Sequence, residues 1–407
     1  MRQARLAGRE GLWDIGVEGN RIAAVEPRLD RRGAAELDAQ GTLVAPGFVN
    51  PHLHLDKCLL GDVMRPNLSQ TLQEAIVITW DHKRRYTADE IGARADAVLQ
   101  AALDNGTIVV RAFADVDPIG GLVPVEALVA ARDRWRDRGV RVQVCAFPQE
   151  GIIRQPGTDR LMEEAMDRGA DVVGGLPWYE RSDEAMRAHV DFCFRLARRH
   201  DKDIHMLADD TDDPTSRSLE YLALRTLEEG YAGRVSASHC GALAAYDHAH
   251  AERVVALVAE AGVSICSNPH ISLVMDGHTD RGLVRRGITR VRELLSAGVN
   301  VCSGQDDVND PYYPFGQPDQ LEVAFFMAHV AHLTYPGDLE TCFAMVTANA
   351  ARALRLPDYG LKVGGLADLV GLGTPTIREA LRWRPPRPFV VSGGRIVARA
   401  RVERQRF

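Results

Sequence analysis

No two of the seven cysteines are spaced as CxxC. Their odd number and scatter (Cys58, Cys145, Cys193, Cys240, Cys266, Cys302, Cys342) argue against a disulfide framework. They read as reduced thiols of a cytoplasmic protein, several of them small hydrophobes inside apolar runs. No uncharged apolar run is long enough to span a bilayer, and Met1 to Arg9 lack the apolar core of a signal peptide, so no membrane partner is expected. Positive charge is not in excess: 49 Lys and Arg against 56 Asp and Glu leave a net charge of −7, which excludes a nucleic-acid partner as the first reading. Low-complexity segments are missing, and no GxGxxG follows the first strand, which demotes a doubly wound dinucleotide fold.

What remains is an ordinary globular composition, 45% hydrophobic and 26% charged, in 407 residues. That length allows one large domain with an appendage, or two domains. Residues 1–45 read as short strands with turns, among them the alternating Gly11–Glu18 and, after Gly19-Asn20, Arg21–Val25. The other end has matching character in Ala367–Leu372 and Phe389–Val397. The ends are expected to pair into a composite β domain of 1–45 and 365–407, around a barrel over 46–364.

Between them, apolar strand-like runs alternate with helical patterns. The strands are expected near 42–49, 107–113, 140–147, 171–175, 203–206, 235–239, 263–267 and 299–303. Most follow a helix ending at Gly, as at Gly106, Gly139, Gly169, Gly262 and Gly298. Helices are expected over 89–103, 125–136, 158–167, 183–200, 216–229, 250–261 and 289–296. Eight β/α repeats in about 300 residues predict an α/β fold of the (β/α)8 TIM-barrel type.

Such barrels carry their chemistry at the C-terminal ends of the strands. The first strand runs into Pro51-His52-Leu53-His54, and alternation points both imidazoles the same way. Polar residues recur at later strand ends: Gln149, His205, Asp209-Asp210, His239 and Asp306-Asp307. Singly, each has a bland reading as a satisfied core histidine or a helix cap. Jointly, three His and one Asp at one mouth make a mixed N/O site suited to Zn²⁺ or Fe²⁺ with a water in the open position. Lys57, three residues past His54, either reaches this site or stands as a solvated loop charge.

These residues resemble a known family. Pro46–Lys57, Phe147–Gly151, His205, Ser238-His239, Gln305–Pro314, Thr347–Ala351 and Gly365–Val370 together resemble the amidohydrolase superfamily. Within it they are similar to the bacterial cytosine deaminase-like branch, which also holds N-isopropylammelide aminohydrolase. The resemblance implies that His52, His54, His205 and Asp306 bind the metal, that His239 polarises the attacked group, and that Gln149 holds the substrate ring. Asp307 and Tyr312 would line the pocket, with Trp178, His270 and Met275 as further loop candidates. The fourth strand end, Val172–Trp178, has no lysine to bridge two ions, which favours one metal. The family's cytosine deaminases carry a proton-shuttling Glu three residues after the fifth-strand His; here that position is Ala208. With two residues inserted, Asp209–Asp213 resembles the family's Asp-Glu-Ile-Asp-Asp, and Asp210 replaces the Glu; Lys57 is the alternative shuttle.

The expected function is metal-dependent hydrolytic deamination of a cyclic amidine or aminated N-heterocycle of cytosine, triazine or pterin type. Asp306 takes a proton from water, His239 stabilises developing charge, and Asp210 or Lys57 returns the proton to the leaving amine. The zinc site of the base-editing deaminases is not present, because no PCxxC occurs. Ring-opening hydrolysis of a cyclic amide or imide, and a non-catalytic binding protein on the same fold, are the rivals. The expected partner is a small heterocycle, and the expected assembly a homo-oligomer.

Overall fold

The computed structural model describes residues 1–278, 280–282, 287–403 and 405. Its centre is an eight-stranded all-parallel sheet in sequential order: β1 (Phe48–Leu53), β2 (Thr107–Asp115), β3 (Arg141–Phe147), β4 (Val172–Gly175), β5 (Asp203–Ala208), β6 (Val235–His239), β7 (Ser264–Ser267) and β8 (Val301–Ser303). A parallel bridge between Leu53 and Asp306 brings the last strand end back to the first. The bonds there run from His54 N–H to Asp306 O (2.8 Å) and from Asp306 N–H to His52 O (2.9 Å). The (β/α)8 barrel is therefore closed by backbone groups of three residues of the candidate site. Gly304 allows that approach, since a Cβ there would stand 2.8 Å from the His52 Cβ.

The strands are Val-, Ile- and Ala-rich and buried along their length, as parallel strands covered on both faces must be. Each fully buried Val, Leu or Ile contributes about 1.5–3 kcal/mol. Helices fill the connections near the expected places, for example Thr158–Asp167 and Asp183–His200. Gly106 adopts φ +87° and packs so closely on Val370 that a Cβ would lie 2.6 Å from its Cγ2.

A five-stranded sheet draws on both ends of the chain, in the order Arg5–Leu6, Leu43–Pro46, Leu369–Gly371, Val390–Ser392, Arg395–Ala398. Beside it lies the hairpin Asp14–Glu18/Arg21–Glu26. All seven cysteines are free and buried. Among the described residues no helix is long and apolar enough to cross a membrane.

Several helices lie outside the expected spans, among them Gln320–Val330, Asp338–Met345 and the helix that borders the site. The helix α1 (Leu72–Lys83) follows the first strand, capped by Thr71, whose side chain accepts from the Glu74 N–H. Thr71-Leu72-Gln73-Glu74 has the spacing of a capping box, and Ala75, Ile76, Thr79 and Lys83 form its buried face. Thr71→Ala is expected to cost about 1 kcal/mol in chemical denaturation.

Candidate metal centre and active site

β1 delivers His52 and His54 to the barrel mouth, both buried. Their Nε2 atoms lie 3.3 Å apart. Asp306, just past β8, turns its Oδ1 to 3.1 Å from His52 Nε2 and 3.4 Å from His54 Nε2. A tetrahedral ion about 2.0–2.2 Å from each donor would hold those donors roughly 3.3–3.6 Å apart. The observed spacing and the N,N,O chemistry thus fit a divalent cation. Burial lowers the imidazole pKa of His52 and His54, so both are neutral at pH 7 and keep a lone pair for a metal. Burial would raise the Asp306 carboxyl, but the His52 and His239 imidazoles outweigh it and hold it well below the carboxylate range.

His52 is fixed from behind. Its ring stacks on Phe113 with centroids 4.0 Å apart, and its Nδ1 meets Ser238 Oγ at 2.7 Å. His205 does not join the donor cluster. Its Nε2 is bound to Ser238 Oγ at 2.6 Å, on the far side of His52, and its Nδ1 faces Arg111 Nη1 at 3.2 Å. The fourth ligand expected from the sequence is thus withdrawn below the mouth. β5 continues in even register to Ala208, so its last inward residue is Leu207, which lines the cavity.

His239 ends β6 with its Nε2 3.4 Å from Asp306 Oδ2. Its Nδ1 has no hydrogen-bond partner and lies 3.4 Å from Asp210 Oδ1. Asn268, unremarked in the sequence, donates to Asp306 Oδ2 at 3.2 Å. His239 and Asp306 hold φ of +67° and +71°, backbone that costs on the order of 1–3 kcal/mol per non-glycine residue and collects at functional sites. Asp210 keeps about a fifth of its side-chain exposure. Burial first, then the Asp306 and Asp212 charges, push its carboxyl up to about 8.

The cavity above these groups has an empty volume of about 440 Å³. Gln149, Lys57, Asp210, Asp307 and Tyr312 give it polar character, and Trp178 lines it with a buried, unpartnered Nε1–H. Its remaining wall is apolar: Leu72 and Ile76 from α1, with Leu176, Leu207 and Ile271. His270 does not line it. It sits in the first turn of the helix Pro269–Met275, against Phe326 at 4.4 Å and with Nε2 3.5 Å from Glu322, and the neighbouring Ile271 faces the cavity instead. Met275 lines a separate surface hollow with Asn67 and Phe315.

Lys57 reaches the site. Its Nζ donates to Asp115 Oδ1 (2.8 Å) and Gln149 Oε1 (3.3 Å) and lies 3.2 Å from His54 Nδ1. Burial alone would lower its pKa; the Asp115 and Asp56 carboxylates overcome that and keep it an ammonium. Behind it stands a second buried lysine. Lys83, at the end of α1, bonds Asp115 Oδ2 (2.7 Å), Asp117 Oδ2 (2.7 Å) and Glu150 Oε1 (3.2 Å). This network was missed because β2 was expected to end at Phe113; followed two residues further, the same strand-end rule finds Asp115.

Comparison with known proteins agrees with this geometry. A model described as "Amidohydrolase family" matches residues 72–398. N-isopropylammelide isopropyl amidohydrolase of Pseudomonas sp. (strain ADP) is 29% identical over 411 residues, covering 99% of this chain and 97% of that protein. The structure of 5-methylcytosine deaminase from Klebsiella pneumoniae liganded with phosphonocytosine matches with a TM-score of 0.95 and 35% identity, covering 100% of this chain and 99% of that one. N-isopropylammelide isopropylaminohydrolase from Burkholderia multivorans matches with a TM-score of 0.84 and 32% identity, over 98% and 97% of the two chains.

Proposed function

This chain belongs to the amidohydrolase family, and from that membership and its own site we propose a metal-dependent hydrolase that deaminates an aminated N-heterocycle. The relatives named as deaminases and amidohydrolases act on C–N bonds of heterocycles, and this chain is an enzyme of that class. The observation that carries the reading is the meeting of His52, His54 and Asp306 donors at the floor of a cavity that also holds His239 and Asp210. His52, His54 and Asp306 would hold one divalent ion per chain, Zn²⁺ before Fe²⁺. Such an ion supplies Lewis acidity, which readies a water for attack near neutral pH.

The chain's own groups supply the rest. Gln149 and Lys57 orient the ring from one side, and the Trp178 Nε1–H offers a donor to a ring acceptor. The apolar wall of Leu72, Ile76, Leu176 and Ile271 accommodates an alkyl group on the ring or on the leaving amine. In this respect the cavity resembles what 5-methylcytosine and N-isopropylammelide would require in the relatives named for them. Asp306 accepts a proton from the attacking water, and His239 stabilises the charge that develops on the attacked carbon's substituent. Asp210 delivers a proton to the departing nitrogen, which leaves as ammonia or an alkylamine while the ring gains a carbonyl. Asp210 suits this role better than Lys57, whose ammonium is held by buried carboxylates.

The test is release of ammonia or amine across pyrimidines, triazines, pterins and creatinine-like rings, bearing and lacking an alkyl substituent. Turnover preferring alkylated rings is expected. Ring-opened acid without amine, or no turnover by protein loaded with zinc, overturns the reading.

The Asp210 role has its own signature. As a general acid it must be protonated, so kcat is expected to fall as pH rises through the region of its pKa, near 8 in the metal-free protein. A bound cation offsets the Asp306 charge and moves that limb to lower pH. Asp210→Asn is expected to remove the limb and lower kcat about 10²–10⁴-fold; a pH–rate profile of both proteins checks this.

A further inference from the structure

Two inward positions on β5 divide the work that one histidine was expected to do. β5 and β6 pair without a bulge, Ser236 against His205, Ser238 against Leu207 and His239 against Ala208. Alternation therefore puts His205 and Leu207 on the same face, with Leu207 one step nearer the mouth. Leu207 is the member that lines the cavity together with His54, His239 and Asp306.

Hydrogen-bond chemistry says what His205 does below it. The Arg111 guanidinium is buried and has only donors; Gln143 Oε1 takes its Nε (3.1 Å) and Nη2 (2.9 Å), and His205 Nδ1 faces its Nη1. His205 Nδ1 must accept that bond, so its proton sits on Nε2 and is donated to Ser238 Oγ. A histidine in this tautomer has no free lone pair at Nε2 for a cation. The same hydroxyl oxygen has a second lone pair, and His52 Nδ1 lies 2.7 Å from it. If His52 donates there, its Nε2 lone pair turns to His54 and Asp306.

We infer that the metal centre of this chain has three protein ligands, His52, His54 and Asp306, with Leu207 as an apolar wall in place of a β5 ligand. His205, held by Arg111, is a positioning residue that fixes the Ser238 hydroxyl against His52 Nδ1 and so holds the His52 ring in place. The inference rests on the metal-dependent reading above and specifies its first coordination sphere.

The test is zinc affinity, read by competition with a chromogenic chelator on the intact protein, independently of turnover. His54→Ala removes a ligand and is expected to weaken zinc at least about 10³-fold, whereas His205→Gln, a loss behind the ligands, weakens it about 10–100-fold at most. Leu207→His, which adds a donor on the cavity side, is expected to tighten zinc at least about 10-fold. Loss of zinc by His205→Gln as complete as in His54→Ala overturns the inference, as does a folded Leu207→His protein with no gain. Should Leu207→His fail to fold, the His205→Gln comparison decides alone. Trace zinc in the wild-type protein under the same titration overturns the metal reading itself, and this inference with it.

Discussion

Asp306→Asn is expected to abolish turnover, lowering kcat at least about 10³-fold, and to strip the bound cation. The carboxylate does three things at once. Its Oδ1 is one of three donors around the proposed ion. It is the proton acceptor for the attacking water, a role worth about 10²–10⁴-fold by itself. Its Oδ2 side lies 3.4 Å from His239 Nε2 and accepts from Asn268. An amide keeps the shape but loses the charge and the proton affinity. Metal analysis and single-turnover kinetics on the purified variant check both losses. Retention of cation and of more than a tenth of the rate would refute the assignment of Asp306.

Lys83→Met is expected to cost about 3–5 kcal/mol of folding stability, although Lys83 touches no substrate. Its ammonium is fully buried among Asp115, Asp117 and Glu150. Removing one partner of a buried ionic group leaves the others uncompensated, which is the expensive way to break it. The deficit has a pH signature. The Asp115 carboxyl would be raised by burial, but Lys57 and Lys83 hold it well below its ordinary range. A depressed carboxyl stabilises the fold above its unfolded pKa and loses that contribution as pH falls through the folded value. The gap between wild type and Lys83→Met is therefore largest at neutral pH and narrows on acidification. Urea unfolding at pH 7 and again below the ordinary carboxyl pKa, at about pH 3, measures it; an equal deficit at both would show that packing, not charge, is what Lys83 supplies.

The barrel and half of its chemistry are legible from residue order alone, because strand alternation and strand-end placement are local rules. His52-Leu53-His54 shows it: period two places both imidazoles inward, and the structure brings them together with Asp306. His205 shows where such reasoning stops. Reading the fifth strand as ending at Met206 made His205 the mouth residue; the strand runs on to Ala208, and Leu207 takes that place. His270 failed through helix phase, since one residue of rotation in the Pro269–Met275 turn exchanges it with Ile271. The helix α1 and its Lys83 are signalled by Thr71 and Glu74, but what Lys83 binds lies at the ends of two strands distant in the chain, β2 and β3, which no local pattern reports.

The place where the barrel closes has a consequence for how the molecule holds together over time. His52 and His54 come from the first stave and Asp306 from the last, and two peptide hydrogen bonds join them. A cation gripped by all three side chains would clasp the ring at its one junction, so that opening the circle and losing the ion become a single event. At a free concentration about 100 times its dissociation constant, that clasp adds about 2.7 kcal/mol to the folded state. Amide hydrogens of His54 and Asp306 would then exchange more slowly in zinc than in chelator, making the ion a structural fastening as well as a reagent.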